Sequence, residues 1–258
     1  MGTALITGAS GGIGYELAKL FAKDHHNLVL VARSGPKLAQ FADELQRQFG
    51  ISAKPLTVDL AGTAAPQSLF DQLQRENIAI DFLVNNAGYG VHGTFSGISL
   101  EESLGQIQLN ITALTALTKV FLDPMVERRS GRVLNVASTA AFQPGPLMAV
   151  YYATKGYVLS FSEALANELK PSGITVTCLC PGPTETGFQE RAAMQNSRLV
   201  KFGMMSAKAV AMDGYRGMLA GKSVVISGLR NWLVAESVRF APRKMVTAVS
   251  RKIAEKAN

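Results

Sequence analysis

A single α/β domain, doubly wound around a mostly parallel seven-stranded sheet with helices on both faces, is the fold this sequence predicts, and three observations predict it. Seven short apolar runs, at 3–7, 27–32, 52–58, 81–85, 132–137, 174–180 and 223–227, alternate with longer segments at 13–24, 37–49, 66–77, 101–129, 151–170 and 206–220. The longer segments carry apolar residues at three- and four-residue spacing, as in Leu38, Phe41, Ala42, Leu45 and Phe49, which is the period of an amphipathic helix. The short runs are nearly unbroken, as in Leu28-Val29-Leu30-Val31-Ala32, the signature of strands buried on both faces by helices. Alternation of this kind builds βαβ units, a parallel sheet and right-handed crossovers. No internal linker rich in Pro, Gly or Ser divides it, so residues 1–229 read as one domain and residues 230–258 as a basic amphipathic helical extension.

Composition narrows the function classes. Of 258 residues, 47% are hydrophobic and 17% charged, a globular balance rather than a disordered one. Two cysteines exclude a disulfide scaffold, and no uninterrupted apolar run approaches the ~18 residues of a membrane span. Cys178 and Cys180 sit two apart in a strand and point to one face as small buried hydrophobes. No metal-ligand cluster stands out, so no metal is expected. The net charge of +7 is unevenly spread: residues 1–200 hold 15 Lys and Arg against 16 Asp and Glu, while residues 201–258 hold 11 against 3. The basic excess belongs to the C-terminal segment, which argues against a nucleic-acid-binding body. A β-like run starts two residues after Met1 and leaves no room for a secretory signal, so the cytosol is the expected compartment.

The first strand runs into Thr7-Gly8-Ala9-Ser10-Gly11-Gly12-Ile13-Gly14 and then a helix. Glycines let a backbone turn tightly and approach a ligand, and free N–H groups at a helix N-terminus hold a pyrophosphate, which points to a Rossmann-type dinucleotide site. The spacing fits both G-x-x-x-G-x-G, with Gly8, Gly12 and Gly14, and G-x-x-G-x-x-G, with Gly8, Gly11 and Gly14. The second strand ends at Ala32-Arg33-Ser34, where an NAD-specific fold places an acid on the ribose 2′-hydroxyl. Here Arg33 stands instead, able to pair with a 2′-phosphate with help from Ser10, Ser34 and Lys37, so NADP(H) is expected over NAD(H). A second glycine run, Gly217 to Gly221-Lys222-Ser223, superficially resembles a phosphate loop but has the wrong spacing and is followed by a strand.

Tyr151-Tyr152-Ala153-Thr154-Lys155 opens a helix, so Tyr151 and Lys155 share a face one turn apart, whereas Tyr152 has Gly156 at that offset. A phenol is a poor acid–base catalyst near neutral pH, but a nearby ammonium and an oxidised nicotinamide both favour its phenolate. Ser138 lies just beyond the strand at 132–137, at the C-terminal sheet edge where ligands of this architecture bind.

Taken in order, Thr7-Gly8-Ala9-Ser10-Gly11-Gly12-Ile13-Gly14, Asp59-Leu60, Asn85-Asn86-Ala87-Gly88, Asn110, Ser138, Tyr151 with Lys155, and Pro181-Gly182 resemble the short-chain dehydrogenase/reductase family over about residues 3–228. The texture is similar to the branch with bacterial ketone reductases and relatives of 3-ketoacyl and 17β-hydroxysteroid reductases. The resemblance implies that Asp59 and Leu60 hold the adenine edge and that Asn86, Ala87 and Gly88 pass close to the adenine ribose. It implies that Lys155 bonds the nicotinamide ribose and lowers the Tyr151 pKa, that Ser138 polarises the substrate oxygen, and that Asn110 holds a water in a proton relay. Pro181, Gly182, Thr184 and Thr186 would border the nicotinamide, and hydride would pass between its C4 and a carbonyl while Tyr151 handles the proton. A homodimer or homotetramer through the helices at 101–129 and 151–170 is implied as well.

The loops at 89–98, 139–150 and 183–206 are the expected substrate walls, with Tyr89, Val91, Phe95, Phe142, Leu147, Met148, Phe188, Met194, Leu199, Phe202, Met204 and Met205, and favour a small hydrophobic ketone or aldehyde. His25 and His26 read as surface residues at a helix end. In the extension, Met245, Val246, Val249 and Ile253 form an apolar stripe after a break at Pro242. Packing on the protein is favoured for it, with peripheral membrane contact the lesser alternative. A non-catalytic NADP(H) sensor and a sugar-nucleotide epimerase or dehydratase share parts of these motifs. The retained Asn110, Ser138, Tyr151 and Lys155 favour the enzyme, and the short C-terminal remainder disfavours the epimerase.

Overall fold

The computed structural model describes residues 1–192 and 203–255. The central sheet holds β1 (Thr3–Thr7), β2 (Asn27–Ala32), β3 (Ala53–Thr57), β4 (Phe82–Asn85), β5 (Gly131–Val136), β6 (Ile174–Cys180) and β9 (Val224–Ile226), with β7 (Thr184–Glu185) and β8 (Met205–Ser206) lying outside it. Its strands are all parallel, where the sequence predicted a mostly parallel sheet, in the order β3-β2-β1-β4-β5-β6-β9. All seven predicted strands form, each within two residues of its expected ends. The chain order reverses between β1 and β4, which opens a crevice above the carboxyl ends of those strands.

Strand side chains alternate between two cores. Ala4, Ile6, Leu28 and Leu30 pack with α1 (Gly12–Lys23), α2 (Gly35–Phe49) and a later helix, α8 (Ala207–Leu219). Leu5, Val29 and Val31 face the opposite layer of α3 (Ala65–Arg75), α5 (Leu114–Glu127) and α6 (Ala149–Glu168). Short polar signals set the helix ends: Ser99 Oγ accepts from Glu102 N at 3.1 Å at the start of α4 (Leu100–Ile107), and Gly50 ends α2 in the left-handed region.

Three features depart from the expected pattern. The segment expected as one helix at 101–129 is α4 and α5 joined through a π-helical turn at Gln108–Ala113, which carries Asn110. A two-stranded parallel ribbon pairs β7 (Thr184–Glu185) with β8 (Met205–Ser206) beside the short helix α7 (Phe188–Arg191). His26 is not a surface residue: its ring packs on Phe21 and Phe82 and accepts from Gly2 N at 3.2 Å, and burial lowers its pKa.

The C-terminal extension forms α9 (Leu229–Ser237) and α10 (Arg243–Ala254), separated at Pro242 as expected. The face of α10 that turns inward is Val246, Ser250 and Ala254. Met245 and Val249, which the sequence placed on the packed stripe, are 60% and 47% exposed. The apolar stripe is wider than the contact, and the small Ser250 and Ala254 sit where the helix approaches the body.

Candidate active site

The glycine turn closes on itself. Gly8 (φ +66°) and Gly12 (φ +57°) occupy the left-handed region that disfavours side chains. A Cβ on Gly14 would lie 2.5 Å from the Gly8 carbonyl oxygen, so only glycine lets α1 pack this tightly on the turn. Gly11 is extended at φ 179° and a Cβ there meets nothing within 4 Å. Geometry therefore selects the Gly8, Gly12, Gly14 spacing of the two that the sequence allowed. Asn86 braces the turn from β4, its amide donating to the carbonyls of Thr7 at 2.9 Å and Gly8 at 3.3 Å. Thr7 Oγ1 accepts in return from Asn86 N and Ala87 N, at 2.9 and 3.0 Å.

A cleft of about 730 Å³ runs from this turn across the sheet edge to α6. At one end it is lined by Gly8, Ser10, Gly12, Ile13, Arg33, Ser34, Lys37, Asp59 and Leu60, in the middle by Asn86, Ala87 and Gly88, and at the other end by Ser138, Tyr151, Lys155, Pro181, Gly182, Thr184 and Thr186. Two predicted site residues stay out of it. Gly14 is buried under the turn, and Asn110 is buried behind Gly88, where a Cβ on Gly88 would lie 3.0 Å from Asn110 Oδ1 and 3.5 Å from Lys155 Nζ. Asp59 lines the cleft while its carboxylate accepts from Ala61 N at 3.1 Å in a local turn.

Around Tyr151 the side chains are buried and bonded. Lys155 Nζ donates to the Val136 carbonyl at 2.8 Å and lies 5.8 Å from the Tyr151 ring centroid. Burial lowers its pKa to about 8, against a smaller upward pull from the neighbouring Cys178 and Cys180, whose Sγ atoms are 3.8 Å apart. Burial raises the Tyr151 pKa more than the nearby Ser138 hydroxyl lowers it, so without a cofactor the phenol is held protonated. Without the cofactor, desolvation and not Lys155 sets the direction of this shift. Ser138 Oγ also accepts from Ala140 N at 3.1 Å and donates weakly to the Pro181 carbonyl at 3.4 Å, which fixes its direction.

The sequence profile of the short chain dehydrogenase family matches residues 2–197. The chain belongs to the short-chain dehydrogenase family. Among curated relatives of this dehydrogenase, the ketoacyl reductase HetN of Nostoc is 34% identical over 210 residues, covering 81% of this chain and 72% of the relative. The very-long-chain 3-oxoacyl-CoA reductase of Anas platyrhynchos is 34% identical over 184 residues, 69% of this chain, and the match spans 58% of that longer protein. Among solved structures, a short-chain dehydrogenase from Sphingobium yanoikuyae in complex with NADPH superposes with a TM-score of 0.84 at 34% identity, covering 93% of this chain and 94% of the other. The bulky-bulky ketone specific alcohol dehydrogenase from Comamonas testosteroni superposes at 0.79 and 28% identity, covering 93% and 92%.

The π turn in this dehydrogenase has a specific consequence. It presents Asn110 so that Oδ1 accepts from Tyr89 N at 3.1 Å while Nδ2 donates to the Tyr89 carbonyl at 2.8 Å and to Thr154 Oγ1 at 3.0 Å. Both amide protons are thus spent on locking the loop after β4 to α6. A water at Asn110 would use its main-chain carbonyl or the second lone pair of Oδ1.

The substrate end is smaller than the sequence list. Met148 and Phe188 line the cleft, Phe142 and Met205 pack into hydrophobic cores, and Phe95 is 67% exposed. Met194, Leu199 and Phe202 lie outside the described residues. Several participants had escaped notice. Gln143, Gln189 and Arg191 line the cleft, and Tyr152 forms part of its wall although it is off the Lys155 face. Asn231 from α9 packs so closely on Gly182 that a Cβ there would lie 2.3 Å from its amide. None of these carries a local motif, and only the long-range fold brings them in.

Proposed function

We propose that the protein is an NADP(H)-dependent oxidoreductase that moves a hydride between nicotinamide C4 and a carbonyl or secondary alcohol, reducing a hydrophobic ketone or aldehyde with Tyr151 as general acid. The observation that carries this reading is the convergence of Ser138, Tyr151 and Lys155 at one end of a cleft whose other end is the glycine turn.

The cleft suits a dinucleotide. Gly8 and Gly12 line its turn at positive φ, Gly14 lets α1 pack tightly beneath it, and the N-terminus of α1 would offer N–H groups to a pyrophosphate. Arg33 and Lys37 border the end where a 2′-phosphate would lie, and no acidic side chain but Asp59 lines that end among the described residues. NADPH, when bound, supplies the hydride.

The chain's own groups supply the rest. Tyr151 carries a proton that burial keeps on the phenol until a substrate oxygen develops negative charge beside it. Ser138 exchanges its weak 3.4 Å contact with the Pro181 carbonyl for a hydrogen bond donated to that oxygen. Lys155, anchored on Val136, has further N–H groups that would hold the ribose hydroxyls of a bound cofactor and support the phenolate left after proton transfer. Asn110 positions a water on the path by which solvent reprotonates Lys155. Met148, Phe188, Tyr152 and Ala192 surround Tyr151 with apolar surface, which suits a hydrophobic carbonyl better than a sugar.

The exposed Leu100, Leu104, Ile107, Val126 and Tyr157 on α4, α5 and α6 support a homodimer or homotetramer through those helices. The two free, buried thiols fit a reducing cytosol. A panel of hydrophobic ketones and aldehydes, followed by loss of NADPH absorbance with NADH in parallel, tests the reading. Turnover with NADPH supports it, and consumption of neither cofactor across the panel overturns it.

A further inference from the structure

The loops around Tyr151 are stitched to the C-terminal helix. His92 Nε2 donates to the Ala254 carbonyl at 2.9 Å across 162 positions of sequence, His92 N donates to the Ala192 carbonyl at 3.2 Å, and Gly93 N donates to Leu147 O at 2.8 Å. The loop after β4, the loop before α6, the end of α7 and α10 therefore meet at one place. That place is behind Tyr152. The Tyr152 ring lies against Gly145, where a Cβ would come within 2.1 Å of it, so the bare backbone there leaves room for the ring and for little else. The ring meets Tyr151 edge to face, with centroids 6.2 Å apart, and it lines the cleft. On the far side Ser250 of α10, 3% exposed, has a hydroxyl without a well-formed hydrogen bond of its own. That hydroxyl lies near enough to the Tyr152 phenol to offset part of the rise that burial causes in its pKa.

We infer that α10 is a specificity element of the active site: through Ser250 and the Ala254–His92 bond it seats Tyr152, and Tyr152 sets how large a carbonyl substituent the pocket admits beside Tyr151. The inference rests on the reductase reading above. Tyr152 acts on the substrate's shape, not on the proton, because its offset on α6 separates it from Lys155. Ser250 acts only through Tyr152 and is a positioning residue. A wall braced by a helix about 100 residues away is rigid without being part of the cofactor site, so changes there alter which ketone fits while leaving the dinucleotide end untouched.

Kinetics with a small methyl ketone and a bulky aryl ketone separate the possibilities. Tyr152→Ala removes the wall and raises the ratio of kcat/KM for the bulky ketone over the small one roughly tenfold. Ser250→Val pushes the ring toward the cleft and lowers that ratio roughly fivefold, mainly through KM of the bulky ketone. NADPH affinity of the Ser250 variant, read by fluorescence titration, stays within about twofold of wild type. Melting curves establish that each variant is folded, and Ser250→Ala, which adds no bulk, replaces Ser250→Val if the latter does not fold, with a milder rise of the ratio as the ring loosens. Opposite shifts for Tyr152→Ala and Ser250→Val support the inference. An unchanged ratio in folded variants, with wild type reducing both ketones, overturns it alone. A wild type that reduces neither ketone overturns the reductase reading, and this inference with it.

Discussion

At the β1 end of the cleft the ligand surface is largely backbone: three glycines, two at positive φ, braced by the amide of Asn86 on the carbonyls of Thr7 and Gly8. At the α6 end it is side chains, with Tyr151 tilted against Phe188 at 5.2 Å and edge-on to Tyr152 at 6.2 Å. The first end comes mainly from the first 90 residues, whereas the second gathers α6 and the loops after β5 and β6. A backbone site recognises what every dinucleotide shares and depends on Gly8, Gly12 and Gly14 carrying no Cβ. A side-chain site carries the chemistry and is free to change its substrate by exchanging rings.

That contrast predicts where substitutions will act. The largest effect belongs to the side-chain end. Tyr151→Phe removes the proton and lowers kcat by about 10³-fold, while NADPH titration gives nearly the wild-type affinity. A variant with wild-type turnover would break the division between chemistry and binding. Arg33→Ala acts at the other end and on one cofactor: KM for NADPH rises about 10- to 100-fold as a charge-assisted contact to the 2′-phosphate is lost, and KM for NADH does not change. Equal losses with both cofactors would place Arg33 elsewhere. The backbone argument is sharpened by a pair of alanines. Gly14→Ala drives a Cβ against the Gly8 carbonyl and weakens NADPH binding at least about tenfold, whereas Gly11→Ala, whose Cβ meets no protein atom, leaves stability near wild type.

The smallest effect is a pH dependence. Lys155 is lowered by burial from 10.5 to about 8, so above that value the unfolded chain binds this proton more tightly than the folded one. Stability of the cofactor-free protein therefore gains from Lys155 as pH rises from about 8 toward 10.5, and that gain is lost as pH falls through about 8. The difference in Tm between wild type and Lys155→Met, followed across this range, should show the gain in wild type alone.

How far each region could be read in the sequence follows from the same division. The strands are continuous apolar runs and the glycine turn is a local motif between a strand and a helix, so period and order were enough to place them. The choice between Gly11 and Gly12 was not legible, because both satisfy a spacing and only the φ angle and the space around each separate them. The π turn at Gln108–Ala113 leaves no mark, since apolar periodicity continues on both sides of it. The buried ladder in which Asn85 Nδ2 donates to Asn135 Oδ1 at 2.9 Å and Asn135 Nδ2 donates to Ser162 Oγ at 3.0 Å is likewise invisible, because each partner lies on a different element. Ser250 on Tyr152 and Asn231 on Gly182 belong to the same class of contact. In α10 the apolar stripe itself was visible, but the side of the stripe that packs depended on where small residues let the helix approach.

The central claim is that hydride leaves nicotinamide C4 for a carbonyl carbon held at Tyr151. NADPH dideuterated at C4, incubated with the protein and a hydrophobic ketone that it consumes, tests this most directly by mass spectrometry of the product. The account predicts an alcohol carrying one deuterium on the carbinol carbon, formed by wild type and essentially not by Tyr151→Phe. Product without deuterium at that carbon, or equal labelling by the Tyr151 variant, would contradict it.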